Sequence, residues 1–416
     1  MSRKVLILHP KSRGFSALRH QSLCRLFSNT NIEHKSIELQ PDQRYNDQTQ
    51  ALIYAQSKAS DAVITIGPYL PAIFTPFVHP QAPLWLDWPS DPLADGHARR
   101  FAAREDTESL SQNATFSILE SVHLGLKRAD KVGVISERAR WSLLGQLLVM
   151  QTPINNPNER IAVTPVCFDF PTKPLIAREH KKNEPLNIAL CGSYNSWLWD
   201  TEMMNGLDLF LKTSPQSTVL LMGGSAQEHY DAGWIRAQQW SERTPQARIV
   251  GWCSEDQFED LLSICDVGIW LDRPGIEPLL GSRTRALLFA WTGLQIIGTP
   301  SCELTESLER NDTMLAAYTA SDLQAALIAI QSKENTKLVQ EQRYLKLSSY
   351  APEHIFKPLL KWLEHPQRLP SLLPKQMHEQ SDIIQKLSQE LKKIHTSPTW
   401  KIGSKLHRIL RRISNI

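Results

Sequence analysis

The sequence predicts an α/β protein with two parallel-sheet domains that face a cleft, followed by a helical, basic C-terminal tail. A chain of 416 residues exceeds one ordinary hydrophobic core. Short apolar segments alternate with helical patterns, which implies parallel β/α units. This alternation stops in a polar, proline-containing stretch at residues 167–185 and then restarts, so we place a domain linker there.

Composition indicates a globular protein, with 41% hydrophobic and 21% charged residues. The six cysteines form no CxxC pair, which favours reduced, buried thiols over a disulfide framework or a zinc site. No apolar run approaches the roughly 20 residues of a membrane span. The first residues, MSRKVLILHP, predict a strand rather than a signal peptide. We therefore expect a cytoplasmic protein.

The first half predicts five strands, at residues 4–8, 61–66, 83–86, 131–135 and 160–163. Ser136 predicts the N-cap of a helix over residues 137–148. Ligands of parallel sheets bind beyond the carboxyl ends of the strands. By this rule, the residues that follow or end these strands lie at the ligand-binding edge of the first sheet, which we call the rim: His9, Gly14, Gly67, Asp87 and Asp91.

Two carboxylates on this rim, Asp87 and Asp91, are candidate catalytic residues for acceptor activation or sugar binding. Asp91 precedes Pro92, so capping of the next helix is an equal alternative for it. His9 and Gly14 are candidate acceptor-side contacts. Gly14 would let the backbone approach a ligand closely.

The second half predicts strands at residues 186–191, 218–222, 248–251, 266–271 and 294–298. Ser254 and Gln257 have the spacing of a capping box. Gly192, Ser193 and Gly224 follow the first two of these strands. Their backbone N–H groups are candidate donor-binding groups for a diphosphate, with tight turns as the alternative for the glycines.

A short loop carrying Glu277 leads into an apolar helix predicted at residues 284–292 and ended by Gly293. Arg283 and Arg285 flank the start of this helix. A helix N-terminus with arginines beside it suits a diphosphate, so both are candidate donor-binding residues. The alternative is that both are ordinary surface arginines.

Several segments resemble the GT-B glycosyltransferases, in particular the retaining group with an E-x7-E signature. The segments NIALCGS, VLLMGGS, RIVGW and EPLLGSRTRALLFAWTGLQIIGT are similar to its donor domain. DWPSDP, ADKVGVISERARWSLLGQL and SPTWKIGSKL are similar to segments of bacterial surface-polysaccharide transferases. The resemblance implies two Rossmann-like domains, an acceptor domain at residues 1–180 and a nucleotide-sugar donor domain at residues 181–365. It also implies that a helix at residues 354–364 crosses back to the first domain.

One departure from the family pattern concerns the acidic signature. Glu277 matches the first glutamate, which in the family lies near the donor sugar, and we take it as catalytic. Eight residues on stands Arg285, which matches a basic position beside the diphosphate. Counting back from Gly293, the ribose-binding acid falls on Leu288, and an aliphatic side chain cannot accept hydrogen bonds.

The sequence contains no Asp-x-Asp motif, so we expect transfer without a metal and with no cofactor beyond the donor substrate. Protein cations would then stabilise the leaving diphosphate. The expected activity moves a sugar from a nucleotide-diphosphate sugar to a cell-surface polysaccharide, such as lipopolysaccharide, or to a lipid-linked acceptor. An epimerase on the same architecture and a non-catalytic scaffold subunit are alternatives. No strand is followed by GxGxxG, and no nucleic-acid-binding motif is present.

Residues 366–416 predict the helical tail. After Glu390 there is no acidic residue, and cations alternate with Trp400 and aliphatic residues. A basic amphipathic helix suits an anionic membrane surface, so we expect residues 396–416 to attach the protein to the inner face of the membrane. The alternative is a helix that packs on the body of the protein or on a partner helix. The cations are Lys392, Lys393, Lys401, Lys405, Arg408, Arg411 and Arg412.

Overall fold

The computed structural model describes residues 3–11, 15–67, 69–105, 112–150, 156–167, 177–195, 197–225, 232–372 and 397. Gly14 and the predicted tail beyond residue 372, Ser397 apart, lie outside the described residues. The sequence-based expectations for these two segments therefore stay predictions.

Two six-stranded parallel sheets make up the described chain, as the sequence predicts. The first sheet has the strand order β2-β1-β3-β4-β5-β6 and the second β12-β11-β10-β7-β8-β9. The strands of the first sheet are β1 Arg3–Pro10, β2 Ile32–Leu39, β3 Ala62–Ile66, β4 Leu84–Trp88, β5 Lys131–Val134 and β6 Ile161–Val163. Those of the second are β7 Asn187–Ser193, β8 Thr218–Gly224, β9 Ala247–Gly251, β10 Val267–Ile269, β11 Gln295–Gly298 and β12 Leu315–Ala316.

Helices connect the strands in both halves. In the first half they are α1 Phe15–Ser28, α2 Asp47–Lys58, α3 Leu70–Ile73, α4 Pro92–Glu105, α5 Gln112–Arg128, α6 Glu137–Val149 and α7 Pro157–Arg160. In the second half they are α8 Asp200–Thr213, α9 Ala232–Arg243, α10 Glu255–Ser263, α11 Ile276–Leu280, α12 Thr284–Trp291, α13 Glu303–Arg310 and α14 Ala320–Gln331. Three further helices complete the described chain: α15 Lys337–Leu345, α16 Pro352–Ile355 and α17 Lys357–Glu364.

Local signals in the sequence set several of these boundaries. The Ser136 side chain accepts a hydrogen bond from the Ala139 N–H at 3.0 Å and caps α6. Ser254 and Gln257 form the predicted capping box of α10. After α12, Gly293 has a φ of +75°, a left-handed conformation that glycine adopts without strain.

Strands β2 and β12 and several helices, among them α11, were not predicted. Strand β2 lies at the edge of the first sheet and alternates exposed and half-buried residues, so it has no continuous apolar run. Helix α11 occupies the segment around Glu277 that we predicted as a loop. Its five residues are too few to show a helical hydrophobic period.

The end of the described chain returns to the first sheet. Ile355, Phe356, Leu359 and Leu363 from α16 and α17 pack in one apolar cluster with residues of β1 and β4, including Trp85. The crossing implied by the family resemblance is therefore present, as two short helices rather than one.

The two halves also meet near the cleft. The Glu303 carboxylate accepts hydrogen bonds from the backbone N–H groups of Glu137 (3.1 Å) and Arg138 (2.7 Å), at the N-terminus of α6. The Arg138 guanidinium donates two 2.8 Å hydrogen bonds to Glu306. Helix α11 packs against α4 and α6 of the first half. These contacts hold α11, with its glutamate, against the first half of the chain.

Candidate functional site

The order of strands in the second sheet indicates where a ligand would bind. Strands β7 and β10 are neighbours, while β8 and β9 lie on one side of them and β11 and β12 on the other. Such a switch point opens a crevice at the carboxyl ends of the two central strands. Three predicted donor-binding residues, Gly192, Ser193 and Arg285, lie at this crevice.

The ends of β7 and β8 approach each other closely. Gly192 has a φ of +93° and Gly223 a φ of +119°. A Cβ on Gly223 would lie 2.1 Å from the carbonyl oxygen of Gly192, which no side chain tolerates. The next pair in register is Ser193 and Gly224. Glycine is thus required at position 223 by the packing of the two strand ends, as in the tight-turn alternative. Gly223 and Gly224 are buried, whereas Gly192 and Ser193 are half-buried.

Arg285 lies against the end of β7. Its Nη2 donates a 3.2 Å hydrogen bond to the carbonyl oxygen of Ser193 and lies 3.5 Å from the position of a Cβ on Gly192. The residue is half-buried. Burial lowers the pKa of the Arg285 guanidinium from its usual value, but an arginine keeps its charge at neutral pH. The crevice therefore contains a fixed cation beside accessible backbone.

Arg283 requires a correction, because we predicted that it also faces the cleft. Its side chain is only 3% exposed and is held by two buried carboxylates. Nε donates to both oxygens of Asp272 at 2.7 and 2.9 Å, and Nη2 donates to Glu277 at 2.9 Å. With the guanidinium occupied in this way, Arg283 positions the two acids rather than a diphosphate.

Glu277 is 5% exposed and lies in the first turn of α11. Burial raises the pKa of Glu277 to about 7, even though the charge of Arg283 acts to lower it. The carboxylate of Asp95, on α4 of the first half, also acts to raise this pKa. Because Asp95 is itself 4% exposed, two buried acids approach each other from the two halves of the protein.

Asp87 is the second residue that differs from its predicted position. It is 1% exposed, and both its oxygens accept 2.7 Å hydrogen bonds from Arg19 on α1. Arg19 also donates to the carbonyl oxygens of Thr164 and Pro165. Asp87 lies inside β4, and its buried ion pair with Arg19 ties α1 to the residues that follow β6.

Asp91 has the geometry of the capping alternative. One of its oxygens accepts from the backbone N–H groups of Leu93 (2.9 Å) and Ala94 (3.0 Å) at the start of α4. The other accepts from Ser142 at 2.6 Å and Gln146 at 3.1 Å, both on α6. Its position is therefore explained by the packing of α4 on α6 without a catalytic role.

On the first sheet, the switch point lies between β1 and β3. His9 lies near the end of β1, and Gly67 directly follows β3. The His9 ring stacks on His20 at 3.7 Å. Burial lowers the pKa of His9 below its usual value and that of His20 to about 4, so both rings are neutral at pH 7. The assignment of His9 to the acceptor side stays a prediction.

Comparison with solved structures identifies this arrangement. HepE from Anabaena, solved with UDP and glucose, has a TM-score of 0.58 and 13% identity, over 87% of this chain and all of HepE. The apo structure of OtsA has a TM-score of 0.59 and 12% identity, over 89% of this chain and all of OtsA. A glycosyltransferase from Rickettsia africae has a TM-score of 0.52 and 13% identity, over 87% and 98% of the two chains. The fold is GT-B.

The GT-B likeness rests on structure alone, because no family model and no curated protein matches the sequence. Within the described ranges, no group of His, Cys, Asp or Glu has an arrangement suited to a metal ion. In the same part of the chain, no helix is long and apolar enough to cross a membrane.

Sequence reasoning missed two residues of the GT-B cleft. Trp252 follows β9, is 40% exposed, and its Nε1 lies 2.8 Å from the position of a Cβ on Gly224. An exposed tryptophan beside the crevice provides a flat aromatic surface. Asp95 is the second missed residue. The sequence signal that could have indicated it is an acidic residue one helical turn after the cap at Asp91.

Proposed function

We propose that the protein transfers a sugar from a nucleoside-diphosphate sugar to a glycan or lipid-linked acceptor. The observation that carries the proposal is the Arg285 guanidinium, fixed to the Ser193 carbonyl at the switch point of the second sheet. When the bond between the anomeric carbon and the diphosphate oxygen breaks, negative charge accumulates on the diphosphate. A preorganised cation and accessible backbone N–H groups stabilise that charge.

A uridine diphosphate sugar is the first donor class to test, because HepE has the same fold and was solved with UDP and with UDP-glucose. Trp252 offers the base a stacking surface next to Gly224. Leu288 is half-buried against the apolar core, so the ribose hydroxyls need a partner other than residue 288. We assign the sugar end of the donor to Glu277 and the acceptor side to His9 and Gly14. We also propose the division into an acceptor domain at residues 1–180 and a donor domain at residues 181–365, which the family resemblance implies.

A donor screen tests the function. The protein is incubated with a panel of nucleotide sugars and candidate acceptors, and nucleoside diphosphate release is measured. Calorimetry with each free nucleoside diphosphate gives binding independently of turnover. Release that depends on one donor supports the proposal, and NMR of the product linkage tests the retaining stereochemistry that the family resemblance implies. Absence of binding by any nucleotide would contradict it.

One observation favours the scaffold alternative. The Glu277 carboxylate is bound by Arg283, and the position of the ribose acid is Leu288. A subunit that lost its chemistry could retain the fold with such replacements. It would bind no nucleotide, so the same calorimetric experiment decides between the two functions.

Glu277→Gln is expected to lower kcat by about 10²-fold, the size typical of one lost electrostatic contact in an active site. The substitution preserves the shape and removes the negative charge near the donor sugar. Because burial raises the pKa of Glu277 to about 7, the wild-type rate should increase as pH rises through that value and the acid ionises. The variant should lack this limb of the pH profile.

Glu334→Gln is the matched control, since Glu334 is exposed and remote in sequence from the crevice. It should keep the wild-type rate and pH profile. A Glu277→Gln enzyme that is fully active with every donor would remove Glu277 from the catalytic residues.

Deletion of residues 396–416 is expected to release the protein from anionic vesicles and leave donor hydrolysis nearly unchanged. Each cation near such a surface contributes about 1 kcal/mol, which salt screens. The apolar residues between the cations add about 25 cal/mol per Å² buried. Vesicle sedimentation at low and high salt measures the difference. Equal pelleting of both forms would mean that the tail is a packing or partner helix.

A further inference from the structure

A cationic cavity lies outside the donor crevice, at the free edge of the first sheet. It has a volume of about 440 Å³ and runs along β6, with α6 on one side and α17 on the other. We call it the edge pocket and define it by Lys131, Arg140, Asn158, Ile161, Lys361 and Trp362. Its volume falls within the range of small-molecule sites.

The charges in the edge pocket are unbalanced. Lys131, Arg140 and Lys361 line the pocket together with Glu137, whose carboxylate pairs with Arg140 at 3.0 Å. A second carboxylate, that of Glu159, is near enough to act on the pKa of Lys131 and raise it. Lys131 donates only to the carbonyl oxygen of Asn158, at 3.3 Å. Lys361 has neither a hydrogen-bond nor an ion-pair partner within the described part of the chain. Within the described residues neither ammonium group is in an ion pair, and three cations face the two carboxylates of Glu137 and Glu159.

The two lysines are also close enough to repel each other. Burial lowers the pKa of Lys131, and the charge of Lys361 lowers it further. An anion between them would remove the repulsion and accept hydrogen bonds from both. Strand β6 ends the described sheet, so one side of its backbone has no strand partner and can donate as well. The Trp362 and Pro358 side chains form an apolar wall next to these donors.

We propose that the edge pocket binds a phosphate group, carried by a ligand whose remaining part packs against Trp362 and Pro358. A phosphate offers several acceptor oxygens and negative charge to the two lysines, while Arg140 is already paired with Glu137. It could belong to a soluble phosphate ester or to a phospholipid headgroup. The inference does not depend on glycosyl transfer, because the residues of the edge pocket lie outside the donor crevice.

Chemical protection of individual lysines tests the site directly in the full-length protein. Acetylation of each lysine is followed by mass spectrometry with and without inorganic phosphate. Occupancy should slow acetylation of Lys131 and Lys361 about tenfold when phosphate is about ten times its Kd. The exposed lysines Lys333 and Lys357 should react at unchanged rates. Uniform rates at all four lysines would overturn the proposal.

Affinity in paired variants provides the second measurement. Lys131→Gln with Lys361→Gln should weaken binding of sn-glycerol 3-phosphate by at least about tenfold. Lys333→Gln with Lys357→Gln removes the same charge from exposed positions outside the edge pocket and should stay within about twofold of wild type. The single variant Lys361→Gln is measured as well, because a change at this exposed position should leave the fold intact even if the double variant misfolds. Equal affinity in all forms would overturn the site.

Vesicles of phosphatidylcholine with and without phosphatidylglycerol identify the source of the phosphate. If the edge-pocket variant loses vesicle binding relative to its charge-matched control, the ligand is a lipid headgroup. If the variant loses only sn-glycerol 3-phosphate binding, the ligand is a soluble ester. Both results support the edge pocket.

Discussion

Arg285→Ala is expected to lower kcat/KM by roughly 30- to 900-fold, which corresponds to about 2–4 kcal/mol of transition-state stabilisation. The Arg285 guanidinium is held at the crevice by the Ser193 carbonyl, so it is oriented before the donor binds. Its contribution should therefore increase as charge develops on the leaving diphosphate. Initial rates over a range of donor concentrations give the change.

Two controls make this result specific. Arg248→Ala removes an exposed arginine from β9 of the same sheet and should leave kcat/KM unchanged. Arg285→Lys keeps the charge but loses the planar guanidinium, and should recover part of the rate. Wild-type turnover in Arg285→Ala would remove this residue from the donor site.

Arg283→Ala is expected to destabilise the folded protein by about 3–5 kcal/mol, because it leaves two buried carboxylates without their cation. Asp272 is 4% and Glu277 5% exposed, so water cannot replace the guanidinium. Burial acts to lower the pKa of Arg283, but the charges of Asp272 and Glu277 raise it overall, so the side chain is charged in the wild type. Urea denaturation followed by tryptophan fluorescence measures the loss.

The control for this prediction is Arg243→Ala. Its side chain is 69% exposed and lies 4.0 Å from Asp208, so its removal should change stability by less than about 1 kcal/mol. In the Arg283→Ala background, Asp272→Asn with Glu277→Gln should restore part of the lost stability, since it removes the unpaired charges. An Arg283→Ala protein as stable as the Arg243→Ala protein would show that the cluster contributes no net stability.

The parallel strands and several helix ends were predictable because their signals are local. Every residue of Ala62–Ile66 and Leu84–Trp88 is buried, and all but Thr65 and Asp87 are apolar. The cap at Ser136 involves a partner three residues away. Edge strand β2 was missed, since most of its residues are exposed or half-buried and form no continuous apolar run.

The sequence by itself determined two parallel α/β sheets, their glycine-rich strand ends and the position of Arg283 and Arg285 at the start of one helix. Only the tertiary structure decided which arginine is available to a ligand. The two are one residue apart in the chain, yet Arg283 meets Asp272 and Glu277 while Arg285 meets Ser193 on another strand. The tertiary structure likewise decided the role of Asp87, because its carboxylate pairs with Arg19, which lies 68 residues earlier in the chain. The role of a charged side chain depends on the charges that folding brings within a few ångströms of it, and those come from distant parts of the sequence.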